Sequence, residues 1–111
     1  MTDVKSINET RQTDEAMRLT FLAEALVTIE QPTEMRRFLV DLCTPAELRA
    51  LSERWHVAKI LHRGELSYRD INARTGVSTT TIGRVARFLK EEPHKGYRVV
   101  LDRLDAQKDT L

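Results

Sequence analysis

The chain has 111 residues, enough for one modest core but too few for a roomy active site. Charged residues make up 32% and aromatic residues 5%, and a formal net charge of +1 leaves the total silent on a polyanionic partner. A single cysteine, Cys43, excludes an internal disulfide and suits a reducing compartment, while its place on an apolar helix face predicts a packed thiol. No apolar run approaches the roughly 20 residues of a membrane span, and the opening segment lacks the basic-then-apolar order of a signal peptide. The expectation is a cytoplasmic protein with no membrane partner.

Residues 1–13 are polar and read as a flexible N-terminus. From Asp14 to Glu30 the apolar positions Met17, Phe21, Leu22, Ala25, Leu26 and Ile29 recur every three or four residues, which predicts an amphipathic helix. Gln31-Pro32-Thr33 interrupts it, because proline lacks an amide donor and disfavours helix in the residue before it. A second helix follows, with Met35, Phe38, Leu39, Leu42 and Cys43 on one side. Thr44-Pro45-Ala46-Glu47 is a strong helix start, with Thr44 as cap, Pro45 where its missing amide costs nothing, and Glu47 completing a capping box. That third helix should run to Arg63, with Leu48, Leu51, Trp55, Ala58 and Leu61 apolar, and end at Gly64.

Ser67 to Lys90 reads as two short helices joined by a tight turn. Ser67 and Asp70 fit a capping pattern, Ile71 anchors the first helix, and Gly76 supplies the left-handed residue that lets the chain reverse. Ser78 can cap the next helix, which buries Ile82, Val85, Ala86 and Leu89. This is the outline of a helix-turn-helix whose second helix is offered to a DNA major groove. Charge supports it: residues 67–90 carry a net +4, against −3 for 1–43, +1 for 44–66 and −1 for 91–111. A solvated basic face is the plain alternative. Glu91-Glu92-Pro93 stops the helix, and a last one from Tyr97 to Ala106 should bury Tyr97, Val100, Leu101 and Leu104. Residues 107–111 read as a flexible C-terminus. The fold class is therefore all-α, about six helices in a single helical domain over 14–106. Two amphipathic N-terminal helices exceed what so small a unit needs for burial, and they point to a second copy.

Catalytic chemistry finds no support. His56 and His62 point apart on one helix, His94 is in a loop, and a lone cysteine adds no zinc set. Carboxylates are interleaved with Arg and Lys at helical spacing, and neither a phosphate loop nor a nucleophile motif occurs. No enzyme, metal or cofactor is expected.

The run from Leu42 to Leu51 (LCTPAELRAL), Arg54, Leu61-His62-Arg63-Gly64-Glu65-Leu66-Ser67, Arg69, Gly76, Thr81-Ile82-Gly83-Arg84 and Leu89-Lys90 resembles the Trp repressor superfamily. Within it, RWHVAKIL, SYRDI, TGVSTTTIGRVARFL and GYRVVLDRL are similar to the YerC/YecD branch, whose members lack an established co-repressor. The resemblance covers Leu42 to Leu104. It implies an all-helical homodimer with interlocked N-terminal helices, whose two helix-turn-helix units enter successive major grooves of a palindromic operator in double-stranded DNA. The function it implies is that of a transcriptional repressor.

Placing Ile82 at zero and stepping about 100° per residue sets Val85, Ala86 and Leu89 beside it, with Thr80, Gly83, Arg84 and Arg87 broadly opposite. Ser78, Thr79, Thr80 and Thr81 lie at the start of this helix, where threonine methyl and hydroxyl groups can meet base edges. Helix-start preference for small polar residues is the alternative account. Gly83 leaves room for close approach or for water, Arg87 and Lys90 suit phosphates, and Arg84 is a further DNA-contact candidate on the same side. Arg69 matches a family position that approaches base or backbone. In tryptophan-responsive relatives the indole lies between two arginines, matched here by Arg54 and Arg84, with threonines matched by Thr44 and Thr81. The glycine and serine one and four residues after the second arginine are Val85 and Phe88 here. Overfilling a pocket typically costs about 1–3 kcal/mol, so the six positions read as a vestigial ligand pocket. The resulting expectation is a repressor that needs no tryptophan. A repressor gated by tryptophan or another small molecule is the alternative, and a helical protein-interaction module the second, since Asn72 places an amide where an inward position wants an apolar residue.

Overall fold

The computed structural model describes residues 3–109. Six helices form, and the described residues contain no strand: α1 (Val4–Val27), α2 (Pro32–Leu42), α3 (Pro45–Arg63), α4 (Tyr68–Thr75), α5 (Thr79–Lys90) and α6 (Gly96–Asp109). The chain divides into two compact units, Met1–Thr44 and Pro45–Leu111.

In the first unit, α1 begins at Val4 and not near Asp14, so most of the segment read as a flexible N-terminus is helical. The physical reason is local. Asp3 caps the helix by accepting from the Lys5 N–H (3.2 Å), and residues 4–27 contain neither glycine nor proline to stop it. The helix ends at Thr28, three residues from Gln31, and Pro32 opens α2 at its first position. Neither helix holds a buried residue. Met17 and Phe21, successive members of the predicted stripe, are 49% and 57% exposed. Cys43, read as a packed thiol, is a free and half-buried cysteine just past α2.

The second unit carries the core. Helix α5 packs on α3, α4 and α6, and α3 also meets α6. Val57, Ala58 and Leu61 of α3, Ile71 of α4, Val77 of the turn, Ile82, Val85, Ala86 and Leu89 of α5, and Leu101 of α6 form one buried cluster. The four apolar positions of α5 occupy one stripe because their spacing of three, one and three residues keeps them within one helix face. Trp55 is half-buried at the edge of this cluster, its ring stacked on Tyr97 at 6.4 Å between centroids and 22° between planes. Helix α6 differs from expectation in two ways. It continues past Ala106 to Asp109, through part of the segment read as a flexible C-terminus; positions 110 and 111 lie outside the described residues. Val100 and Leu104 are exposed while Leu101 alone is fully buried, since the cluster in this unit meets only a narrow face of the helix.

Candidate nucleic-acid interface

The helix-turn-helix is built by caps at each boundary. The Asp70 N–H donates to Ser67 Oγ (3.2 Å) at the start of α4, and Gly76 ends it at φ 75°, its N–H donating to the Asn72 carbonyl (2.9 Å). A residue with a Cβ is strained at that φ, so the turn requires glycine there. The Thr81 N–H donates to Ser78 Oγ (3.2 Å) at the start of α5.

Two side chains then stitch the turn. Asn72 Nδ2 donates to the Val77 carbonyl (2.8 Å), so the amide that the sequence left without a partner is satisfied inside the motif. Thr75 Oγ1 donates to the Ile71 carbonyl (2.6 Å) and accepts from the Val77 N–H (3.1 Å). With the Asn72 amide bonded, the observation that favoured a protein-docking role is gone.

The side chains singled out for DNA fall as follows. Arg69 is exposed on α4; Thr79, Thr80, Arg84, Arg87 and Lys90 are exposed on α5; Ser78 is its exposed cap. Ile82, Val85, Ala86 and Leu89 are buried on the other side. A Cβ built on the half-buried Gly83 would meet nothing within 4 Å, so the space above it is open. Thr81 is half-buried, and its Oγ1 accepts a hydrogen bond from the Ser78 hydroxyl (3.0 Å), which turns it toward the cap.

Two of the arginines carry further contacts. Arg84 lies over the Phe88 ring, its guanidinium carbon 4.2 Å from the centroid, and that of Arg87 is 5.2 Å away. Arg87 also pairs with Glu92 (Nε to Oε1, 3.4 Å), whose N–H donates to the Arg87 carbonyl (3.0 Å). Sequence reasoning missed Glu92 because it sits beyond the helix end, where helical spacing no longer says what faces what.

The residues proposed as a vestigial pocket are brought together only in part. Arg54, Arg84 and Phe88 line an open cleft of about 420 Å³ with His94, Gly96 and Tyr97. Val85 is fully buried in the core and fills no part of it, and Thr44 belongs to the other unit. Phe88 forms a wall of the cleft, its ring stacked on His94 at 6.2 Å and 15°. His94, Gly96 and Tyr97 carried no sequence signal for this place, since the α5–α6 loop and the packing of α6 bring them there. No group of three metal-ligating side chains occurs among the described residues, and no helix described is long and apolar enough to cross a membrane.

Away from this face, His62 Nε2 of α3 lies 2.9 Å from Asp105 Oδ2 of α6. The hydrogen bond to His62 is the main cause that holds the Asp105 carboxyl below its usual range; desolvation opposes it, and the charges of His62 and Lys108 reinforce it.

An all-α unit with a capped helix-turn-helix on its own core defines the class: a helix-turn-helix protein of the transcription-regulator kind. The chain belongs to the Trp repressor family, whose model, described as Trp repressor protein, matches residues 17–105. It is 37% identical over 83 residues to the uncharacterized protein YerC of Bacillus subtilis (strain 168), spanning 75% of this chain and 78% of that one. Among solved structures it is similar to a TrpR like protein from Eubacterium eligens ATCC 27750, at 38% identity and a TM-score of 0.72, covering 80% of this chain and 90% of that one. A crystal structure from Staphylococcus aureus aligns equally well, at 37% identity and a TM-score of 0.72, covering 80% of this chain and 87% of that one. The family is one of transcription regulators and not of enzymes.

Proposed function

We propose that the protein is a sequence-specific DNA-binding repressor that acts in the cytoplasm as a homodimer on a palindromic operator and needs no tryptophan. The observation that carries this reading is the division of α5: one stripe buried in the core, the other presenting Thr79, Thr80, Arg84, Arg87 and Lys90 to solvent above the open space at Gly83. Threonines in the first turn suit base edges, and Arg69, Arg87 and Lys90 suit phosphates. The exposed Met17–Phe21 stripe of α1 supports pairing with a second copy, which would set two reading helices roughly 34–36 Å apart. The Phe88 ring, which forms a wall of the cleft between Arg54 and Arg84, takes up space there and supports independence from tryptophan.

Selection of bound sequences from a random duplex pool, followed by anisotropy titration, tests the reading. Binding to an enriched palindrome should weaken steeply as salt rises. Arg84→Ala and Arg87→Ala should each weaken it while the folded helix content is unchanged. Failure to enrich any sequence, or affinity insensitive to salt, overturns the proposal.

A ligand-gated repressor is the second reading, favoured by the open cleft between Arg54 and Arg84. Calorimetry with tryptophan separates the two: micromolar binding that also tightens the DNA complex selects the gated form, and absence of heat selects the ungated one.

A further inference from the structure

We propose that Phe88 is a positioning residue for the DNA-facing arginines of α5, its ring serving as the platform that holds the Arg84 and Arg87 guanidinium groups in place before DNA arrives. The inference rests on the DNA-binding reading and adds to it a device that this chain carries in its own side chains.

Phe88 follows Arg84 by four residues, one helical turn on, and both guanidinium carbons lie within the roughly 6 Å at which a cation is attracted to the face of an aromatic ring. Phe88 is no member of the buried cluster; it is half-buried on the same side of α5 as Arg84 and Arg87. The ring is itself braced, because His94 stacks on it from the α5–α6 loop. Glu92 adds a second hold on Arg87 from the same end of the helix. Arginine has a long arm with much rotamer freedom, and ordering it at the moment of binding weakens a complex. Two arginines already resting on a braced ring lose less freedom when they meet phosphates. The ring takes no part in DNA contact itself; it acts through the arginines.

The test compares Phe88→Leu, which keeps an apolar group but loses the ring face, with Phe88→Tyr, which keeps both. Full-length proteins are titrated by anisotropy against the duplex that the wild type selects. The leucine variant should bind roughly 3- to 10-fold more weakly, with a salt dependence shallower by about one counterion, while the tyrosine variant stays within about twofold of wild type. NMR relaxation of the arginine Nε–Hε groups in the free proteins should show Arg84 and Arg87 more ordered than Arg103 in the wild type, and loosened in the leucine variant. Equal affinity of the leucine variant and wild type, or equal loss in both variants, overturns the proposal. If the leucine variant fails to fold, the relaxation of the wild type alone decides: Arg84 and Arg87 as mobile as Arg103 refutes the platform. If the wild type binds no duplex, the DNA reading fails, whereas ordered Arg84 and Arg87 in the free protein would still support the platform.

Discussion

The two units of this chain use the same kind of helix to different ends. In Pro45–Leu111, four helices turn apolar stripes inward, and all ten buried hydrophobic side chains of the described residues lie there, from Val57 to Leu101. In Met1–Thr44, a 24-residue helix and an 11-residue helix bury none. The difference is not composition, since α1 has Met17, Phe21 and Leu22 at helical spacing. It is whether a stripe has other stripes to close against. A helix forms from hydrogen bonds between near neighbours, but a core needs several faces meeting. The unit with a core holds the helix-turn-helix on a packed base; the unit without one leaves apolar side chains such as Met17 and Phe21 exposed.

The largest test of that contrast is Ile82→Ala. This fully buried side chain lies in the centre of the α5 stripe, and its truncation should cost about 2–5 kcal/mol in chemical denaturation, enough to unfold the helix-turn-helix unit of a marginal domain. Helix content that survives to the same denaturant midpoint would erase the distinction between the units.

Phe21→Asp probes the other side. If the Met17–Phe21 stripe is covered by a second copy, a carboxylate there should weaken the dimer by at least about 2 kcal/mol, about thirtyfold. Sedimentation velocity should then show monomer where the wild type shows dimer, and identical profiles would leave the stripe without a partner.

Asn72→Ala removes the bond to the Val77 carbonyl and should cost about 1 kcal/mol, with faster hydrogen exchange confined to the turn and the first turn of α5. Unchanged exchange would mean that the caps alone hold the turn.

Asp105→Asn should have the smallest effect and a distinct pH signature. The folded carboxyl titrates below its ordinary value, so its contribution is present above that value and is lost as pH falls through about 4 toward the depressed folded value. The wild type should therefore lose stability more steeply than the variant on acidification, and converge with it in strong acid. Parallel acid limbs would remove the α3–α6 pair from the account of this core.

Much of this was legible along the chain. Ser67, Gly76 and Ser78 set the ends of α4 and α5, Pro45 opens α3, Pro32 separates the first two helices, and the spacing of Ile82, Val85, Ala86 and Leu89 named the buried side of α5. These features depend on neighbours three or four residues away, which the sequence by itself determines. The early start of α1 is not marked by an apolar stripe, since residues 3–13 carry only Val4 and Ile7 among polar side chains, and the Asp3 cap alone signals it. Only the tertiary structure decided what depends on two helices meeting. Leu104 stayed in solvent while Leu101 went in. The loop after α5 brought His94 against Phe88, and the approach of α6 set Tyr97 beside Trp55. Which way a helix is rolled against its neighbour is fixed by the sum of many weak contacts from distant parts of the chain, and no local pattern contains that sum.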